Sequence, residues 1–336
     1  MKVNSLLIDG ENLLKQGFHG AKNVQTSNGS TGAVFHFINT IKRFYSDYGI
    51  TKVVVFWEGE NSKDYRVGYY PYYKGNRKSQ YTEDQLYDLG RQRTRIKQYL
   101  EELYIRQVEI FGCEADDGIA HYAVNSPNES KLIVTADRDL LQLIADDVKV
   151  YLTDKKVVIN QKNFQNHFPY HYGNVGLVKM IAGDSSDNIA GLKNIGEETT
   201  LKLFPELKKG KKTYDWIMSR TDELLLETPD SKPLKTIKEG NTKYGAYGTD
   251  YFAIMNKVIN LHSPNVTDEL KAAIIEVVSE PLDPTGRGGV NKVVEFMKED
   301  GIIRLIPNYD EGYFVFWSSF LTIIKKEENY FKLKNK

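Results

Sequence analysis

An acidic residue follows each of four short apolar runs, and this recurrence constrains the fold more than any other feature of the chain. The runs are Ser5 to Ile8, Lys52 to Trp57, Gln107 to Phe111 and Lys131 to Thr135, with a fifth at Val148 to Leu152. They are rich in Val, Ile, Leu and Phe, as strands buried on both faces are. Between the first two, Ala33, Val34, Phe37, Ile38, Ile41, Phe44 and Tyr45 recur at helical spacing, and Gly49 closes the pattern. A further helix is expected from Glu83 to Tyr104. Strand, helix, strand in this order predicts an α/β fold: a mainly parallel central sheet with helices on both faces. From about residue 172 the pattern changes to helices at Val175 to Ala182, Glu197 to Phe204, Tyr251 to Leu261, Asp268 to Val278 and Val290 to Glu299. The chain is 336 residues long, enough for about two domains. The expected division is an α/β part, 1–171, and a mostly helical part, 172–336, with 208–248 the least regular.

In open parallel sheets ligands collect beyond the carboxyl ends of the strands. There the sequence places Asp9, Glu58, Glu114 with Asp116 and Asp117, and Asp137 with Asp139; Asp184 and Asp187 open the helical part. Nine carboxylates brought to one edge must protonate or bind cations. With no nearby His or Cys, the all-oxygen set favours Mg²⁺ or Mn²⁺ over Zn²⁺, and its size suits two ions, the arrangement used for phosphoryl transfer. Taken singly, each acid also fits a helix N-cap or first turn. Five acidic sites in register do not.

The formal charge is zero, 45 basic against 45 acidic residues. Setting nine acids aside for metal leaves 45 basic against 36 acidic, so the rest of the protein is cationic. From Lys63 to Arg106 ten Lys and Arg mingle with nine tyrosines, a combination that suits single-stranded nucleic acid. Tyr87, Tyr99 and Tyr104, at helical spacing, read as core packing. Tyr69, Tyr70, Tyr72 and Tyr73, crowded beside Pro71, Lys74 and Arg77, read as substrate contacts. Gly191-Leu192-Lys193-Asn194-Ile195-Gly196 before a helix has the form of a helix-hairpin-helix, about 183–204, whose amides can approach duplex phosphates. A plain glycine turn between helices fits the same residues. The lysine-rich stretch 208–243 reads as a solvated loop or a second DNA contact.

No apolar run reaches the length of a membrane span, and the start of the chain lacks a signal-peptide pattern; the strongest runs, Val53 to Trp57 and Tyr313 to Trp317, are strand-sized. The single cysteine, Cys113, excludes an intrachain disulfide. A cytoplasmic protein without membrane contact is expected.

Six ordered segments closely resemble the 5′-nuclease family of phage 5′-to-3′ exonucleases, T-even phage ribonuclease H, the 5′ domain of bacterial DNA polymerase I and flap endonucleases. They are Leu-Ile-Asp-Gly at 7–10, Trp-Glu-Gly at 57–59, Tyr-Arg-Val-Gly-Tyr-Tyr-Pro-Tyr-Tyr-Lys-Gly-Asn-Arg at 65–77, Glu-Ala-Asp-Asp at 114–117, Thr-Ala-Asp-Arg-Asp-Leu-Leu-Gln-Leu at 135–143 and Gly-Asp-Ser-Ser-Asp-Asn-Ile at 183–189. The resemblance implies a PIN-like core in which Asp9, Glu58, Glu114 and Asp116 hold the hydrolytic metal. Asp117, Asp137, Asp139, Asp184 and Asp187 would hold or support the second. It implies Lys74 above the scissile phosphate, Arg77 steering the 5′ strand, Tyr73 stacking on a terminal base and Arg66 among the DNA contacts. Gly191, Lys193, Gly196 and Thr199 would grip duplex DNA, in some members with a bound K⁺, and 63–106 would form a helical arch.

The implied activity is metal-dependent 5′-to-3′ exonuclease and flap endonuclease cleavage in DNA replication or repair. Its substrates would be DNA with a 5′ end or flap, or RNA·DNA hybrids. A monomer is implied, with a single-strand-binding protein or polymerase as candidate partners. Glu58 stands where the family usually has Asp, Ala136 where it has Gly and Ala190 where it has Pro. Two rival readings are a PIN-type endoribonuclease and a non-cleaving, structure-specific DNA-binding protein.

Overall fold

The computed structural model describes residues 3–20, 25–26, 29–76, 81–126, 128–305 and 309–335. Its centre is a six-stranded sheet built from β1 (Ser5–Asp9), β2 (Lys52–Phe56), β3 (Arg106–Val108), β4 (Lys131–Thr135), β5 (Val148–Leu152) and β6 (Val157–Ile159), in spatial order β3-β2-β1-β4-β5-β6. The first five in sequence are parallel; β6, a short edge strand not expected from the sequence, pairs antiparallel with β5. Every residue of β1 is buried, which is why its sequence is continuously apolar rather than alternating. β1 pairs with β2 on one side and β4 on the other, so the strand order reverses beside Asp9, its last residue. A crevice at such a reversal is where open α/β sheets place their ligands.

Alternate residues along the strands feed two cores. Leu6, Ile8, Val53, Val55, Leu132 and Val134 pack on one face with α1 (Gly10–Gly20), α2 (Gly32–Tyr48) and α4 (Glu83–Glu102). Leu7, Val54, Phe56 and Ile133 pack on the other with α5 (Ala115–Asn125), α6 (Val175–Ala182) and α10 (Tyr251–Ile259). Between β2 and α4 lies the short α3 (Asp64–Tyr69), and beyond α6 come α7 (Glu197–Leu203), α11 (Asp268–Ser279) and α12 (Gly289–Glu299). Thr82 and Gln85 start α4 with a reciprocal capping box, fixing where this long polar helix begins.

Three expectations are corrected. β3 ends at Val108, and Phe111 is exposed. The stretch 208–248 is ordered into α8 (Tyr214–Glu227), α9 (Lys232–Glu239) and a two-residue ladder of β7 (Asn241–Thr242) with β8 (Gly245–Ala246). The strand-sized apolar run at 313–317 lies inside a long helix, α13 (Tyr309–Lys334), which returns to the α/β part. There the buried Glu327 receives both terminal nitrogens of Arg106 at 2.7 and 2.8 Å, and Phe320 and Ile323 join the α2 side of the core. No helix among the described residues is long and apolar enough to cross a membrane.

Candidate active site

The carboxyl end of β1 is organised by hydrogen bonds local to the sheet edge. Asp9 accepts from the backbone N–H of Asn12 at 3.0 Å and from the Thr135 hydroxyl at 3.0 Å. Thr135 Oγ1 in turn accepts from the Asp137 N–H at 2.9 Å, while Asn12 Oδ1 accepts from the Ala136 N–H at 2.8 Å. β1 and β4 are thus tied together so that Asp9 and Asp137 face one another's charge. Neither Thr135 nor Asn12 was singled out in the sequence; their signal is a small polar residue within three positions of a site acid.

Asp116, in the first turn of α5, and Glu58, just past β2, complete this group. Burial, with the charges of Asp137 and Glu58 added, pushes the Asp9 carboxyl up to about 7. Burial and repulsion from Asp137 and Asp9 push Asp116 well above its usual range. Glu58 is raised by burial and by Glu114, and accepts from the Ser62 hydroxyl at 3.1 Å. The folded protein therefore holds several carboxylates that water would leave ionised and that repel one another here. That is the electrostatic condition a divalent cation relieves, and all the donors are oxygen.

A second acidic group is built on the far side of Asp137. Oxygens of Asp139, Asp184 and Asp187 lie within 4.8 Å of one another. Asp184 and Asp187 are presented by a tight loop closed by reciprocal backbone bonds between Asp184 and Ile189, at 2.8 and 2.7 Å. Lys179, which the sequence reading did not single out, enters this group from α6. Its Nζ contacts Asp139, lies 2.8 Å from Asp184 and 3.4 Å from Asp187. Burial raises Asp139 to about 7 despite the ammonium, whereas Asp184, less enclosed, is carried down to about 2 as Lys179 and Ser186 outweigh its burial. Its sequence signal is a lone cation on an otherwise apolar helix. The residues fit a second cation, and Lys179 already supplies one positive charge there.

The expected metal ligands Glu114 and Asp117 and the expected DNA contacts Arg66 and Tyr73 are found differently engaged. Arg66 is buried: it contacts Glu114, forks onto Asp117 at 2.6 and 2.9 Å, and donates from Nε to the Val258 carbonyl at 2.8 Å. The arginine is an internal strut between α5 and α10, which corrects its assignment to DNA. Asp117 faces that strut and also accepts from the Asn265 N–H at 3.1 Å. Tyr73 is 5% exposed and donates to Glu114 at 3.1 Å, so its ring is not presented to a terminal base. Tyr72, beside it, is the exposed ring. Glu114 also receives the Lys74 ammonium at 2.6 Å. Burial disfavours that ammonium, yet Glu114, Asp187 and Asp116 raise its pKa, so Lys74 is a cation at the rim of the acids. Arg77 lies outside the described residues.

The glycine turn has a steric logic. Gly191 has φ +62°, and a Cβ there would lie 2.4 Å from backbone atoms of Ala182 and Gly183. Gly183 opposes it, a Cβ there lying 2.7 Å from backbone atoms of Ile189 and Gly191, so the turn that carries Asp184 packs backbone on backbone. Lys193 and Gly196 are exposed on the turn and Thr199 is half-buried in α7, an arrangement open to a phosphate backbone.

Residues 4–169 match the model of the 5′-3′ exonuclease N-terminal, resolvase-like domain. The 5′-3′ exonuclease of Bacillus subtilis (strain 168) is 34% identical over 215 residues, spanning 60% of this chain and 69% of that protein. This chain belongs to the 5′-3′ exonuclease family. A second family member, the 5′-3′ exonuclease of Buchnera aphidicola subsp. Schizaphis graminum, is 27% identical over 270 residues, 79% of this chain and 89% of its own. The fold is shared with T5 5′-exonuclease carrying bound zinc, at a TM-score of 0.56 and 18% identity over 89% of this chain and 99% of that one. This 5′ nuclease is a phosphodiester hydrolase, and the mainly parallel sheet with a helical C-terminal part is as expected.

Proposed function

We propose that this nuclease hydrolyses DNA at 5′ ends and at the base of 5′ flaps, and the RNA strand of RNA·DNA hybrids, with residues 1–171, joined by Asp184 and Asp187, carrying the chemistry and 172–336 otherwise holding duplex DNA. The observation that carries the reading is the enclosure of Asp9 and Asp116 beside Asp137 and Glu58, where burial, and then repulsion among the acids, raises both carboxyl pKa values. Asp9, Glu58, Asp116 and Asp137 would hold one Mg²⁺ or Mn²⁺, and Asp139, Asp184 and Asp187 a second. Such a pair supplies an activated water and neutralises charge on the leaving oxygen.

The protein's own groups orient the rest. Thr135 and Asn12 hold Asp9 by two hydrogen bonds, and Lys74 places a cation at the rim, where a scissile phosphate would approach. Glu114 and Asp117 act from behind, fixing Lys74 and Arg66 respectively. Lys193, Gly196 and Thr199 would meet the duplex backbone, with K⁺ at the turn as part of the same reading. A cytoplasmic monomer that works beside a polymerase or single-strand-binding protein completes it.

The test is cleavage of a 5′-labelled flap, with RNA-primed and blunt duplexes alongside, in Mg²⁺, Mn²⁺ or EDTA. Short 5′ fragments released only with metal are expected, and K⁺ should tighten duplex binding. Preference for unstructured RNA would instead favour an endoribonuclease, and tight binding without product in either metal a non-cleaving binder.

A further inference from the structure

The short ladder of β7 and β8 sits in the least regular stretch of the sequence, yet it reaches the segment carrying Lys74. Tyr244, at its turn, stacks on the exposed Tyr72 with ring centroids 3.8 Å apart and planes 9° from parallel. Its hydroxyl donates to Asn188 Oδ1 at 3.0 Å. Asn188 Nδ2 then donates to the Tyr72 carbonyl at 2.7 Å, closing a ring of contacts among Tyr72, Tyr244 and Asn188. Two residues on from Tyr72, the Lys74 N–H donates to the carbonyl of Asp187, the neighbour of Asn188, at 2.8 Å.

The backbone shows why such support is needed. Lys74 and Asn188 both adopt the left-handed region, φ +52° and +55°, which non-glycine residues hold only where their surroundings impose it. The ladder itself is anchored: the Lys193 N–H donates to the Asn241 carbonyl at 2.8 Å, and the Tyr247 N–H to the Gly240 carbonyl at 3.1 Å. Tyr70, buried beneath, accepts from the Ala190 N–H at 3.2 Å and lies edge-on to Tyr72. The ladder thus clamps the lysine-bearing segment 70–76 to the loop bearing Asp184 and Asp187.

We propose that Tyr244 is a positioning residue for cleavage, acting through Tyr72 and Asn188 to hold Lys74 in register with the site acids. The inference rests on the reading of Lys74 as the cation at the scissile phosphate. Tyr244 touches none of the reacting groups; its effect is to remove slack between two segments that approach from opposite sides of the site. Lys243, whose Nζ lies 4.7 Å from the Tyr244 ring centroid, gives the same patch a cation, so direct DNA contact is the competing role.

The experiment is a double-mutant cycle on single-turnover flap cleavage at saturating enzyme in Mg²⁺, with DNA affinity measured separately in EDTA. Misplacement of a catalytic group by about an ångström costs on the order of 10²-fold, so Y244A is expected to slow the cleavage step by about 10- to 100-fold at unchanged affinity. Y244F keeps the stack and loses only the bond to Asn188, so its loss should fall between wild type and Y244A. Added to K74A, Y244A should cost nothing further, because the group it positions is gone.

Losses that multiply in the double mutant, or a Y244A defect confined to affinity, would overturn the proposal in favour of DNA contact. Should Y244A not fold, Y244F at wild-type rate overturns it equally. The two readings separate cleanly: K74A at wild-type rate removes Lys74 from the chemistry and the inference with it, whereas a slow K74A beside a fast Y244A removes the inference alone.

Discussion

The ammonium of Lys179 lies 2.8 Å from the carboxylate of Asp184, inside the group of acids that also includes Asp139 and Asp187. The protein thereby compensates its second acidic group internally, and the lysine is held charged by the acids around it. Removing one partner of an enclosed ion pair leaves the others uncompensated. Lys179→Met is expected to lower stability in EDTA by on the order of 3 kcal/mol, with most of the loss recovered in excess Mg²⁺. Urea unfolding with and without metal checks this; an equal loss in both conditions would show that the lysine acts only by packing.

Asp9 gives a pH dependence with a definite sign. Its folded pKa, about 7, stands above the ordinary 3.8, so the folded protein keeps the proton that the unfolded chain releases first. The stabilising contribution is full below pH 3.8 and is lost as pH rises through 7. In EDTA, Asp9→Asn should therefore be more stable than wild type by on the order of 4 kcal/mol at pH 8, the gap shrinking to well under about 1 kcal/mol near pH 4. Comparing the two proteins at each pH cancels the histidines. Thermal unfolding that shows a constant gap across the range would contradict the assignment.

Cleavage itself should depend on the first acidic group. Asp116→Ala and Asp137→Ala are each expected to reduce flap cleavage by about 10³-fold or more, while affinity for the same flap in EDTA is retained or rises. A full-rate variant would take that residue out of the mechanism.

Arg66 is expected to behave as a structural residue. Its fork onto Asp117 and bond to Val258 join α5 to α10, so Arg66→Ala should cost on the order of 3–5 kcal/mol in urea unfolding. If stability is unchanged and DNA affinity drops, the arginine is a DNA contact after all.

The legible part of this molecule was its pattern. Strands β4 and β5 and helix α6 have the expected boundaries, because buried strands and an apolar helix announce themselves by composition. Seven of the nine candidate acids were picked out by the strand ends they follow, and Asp184 and Asp187 by the end of α6. The burial of Arg66 and Tyr73 was not legible, because neighbours along the chain say nothing about Val258, Asp117 or Glu114, which meet these side chains only after folding. The ladder at 241–246 was invisible because strands of two residues have no periodicity to detect.

By itself the sequence determined the alternation of strands and helices, the acids at the strand ends and hence a parallel sheet with an acidic edge. These are local properties, encoded in spacing and residue type. Only the tertiary structure decided which charges neutralise which: Lys179 among three acids, Arg66 on Asp117, Lys74 on Glu114. Burial makes each such choice consequential, since an enclosed charge must find a partner, and in these pairs the partner lies five to fifty-one residues away along the chain.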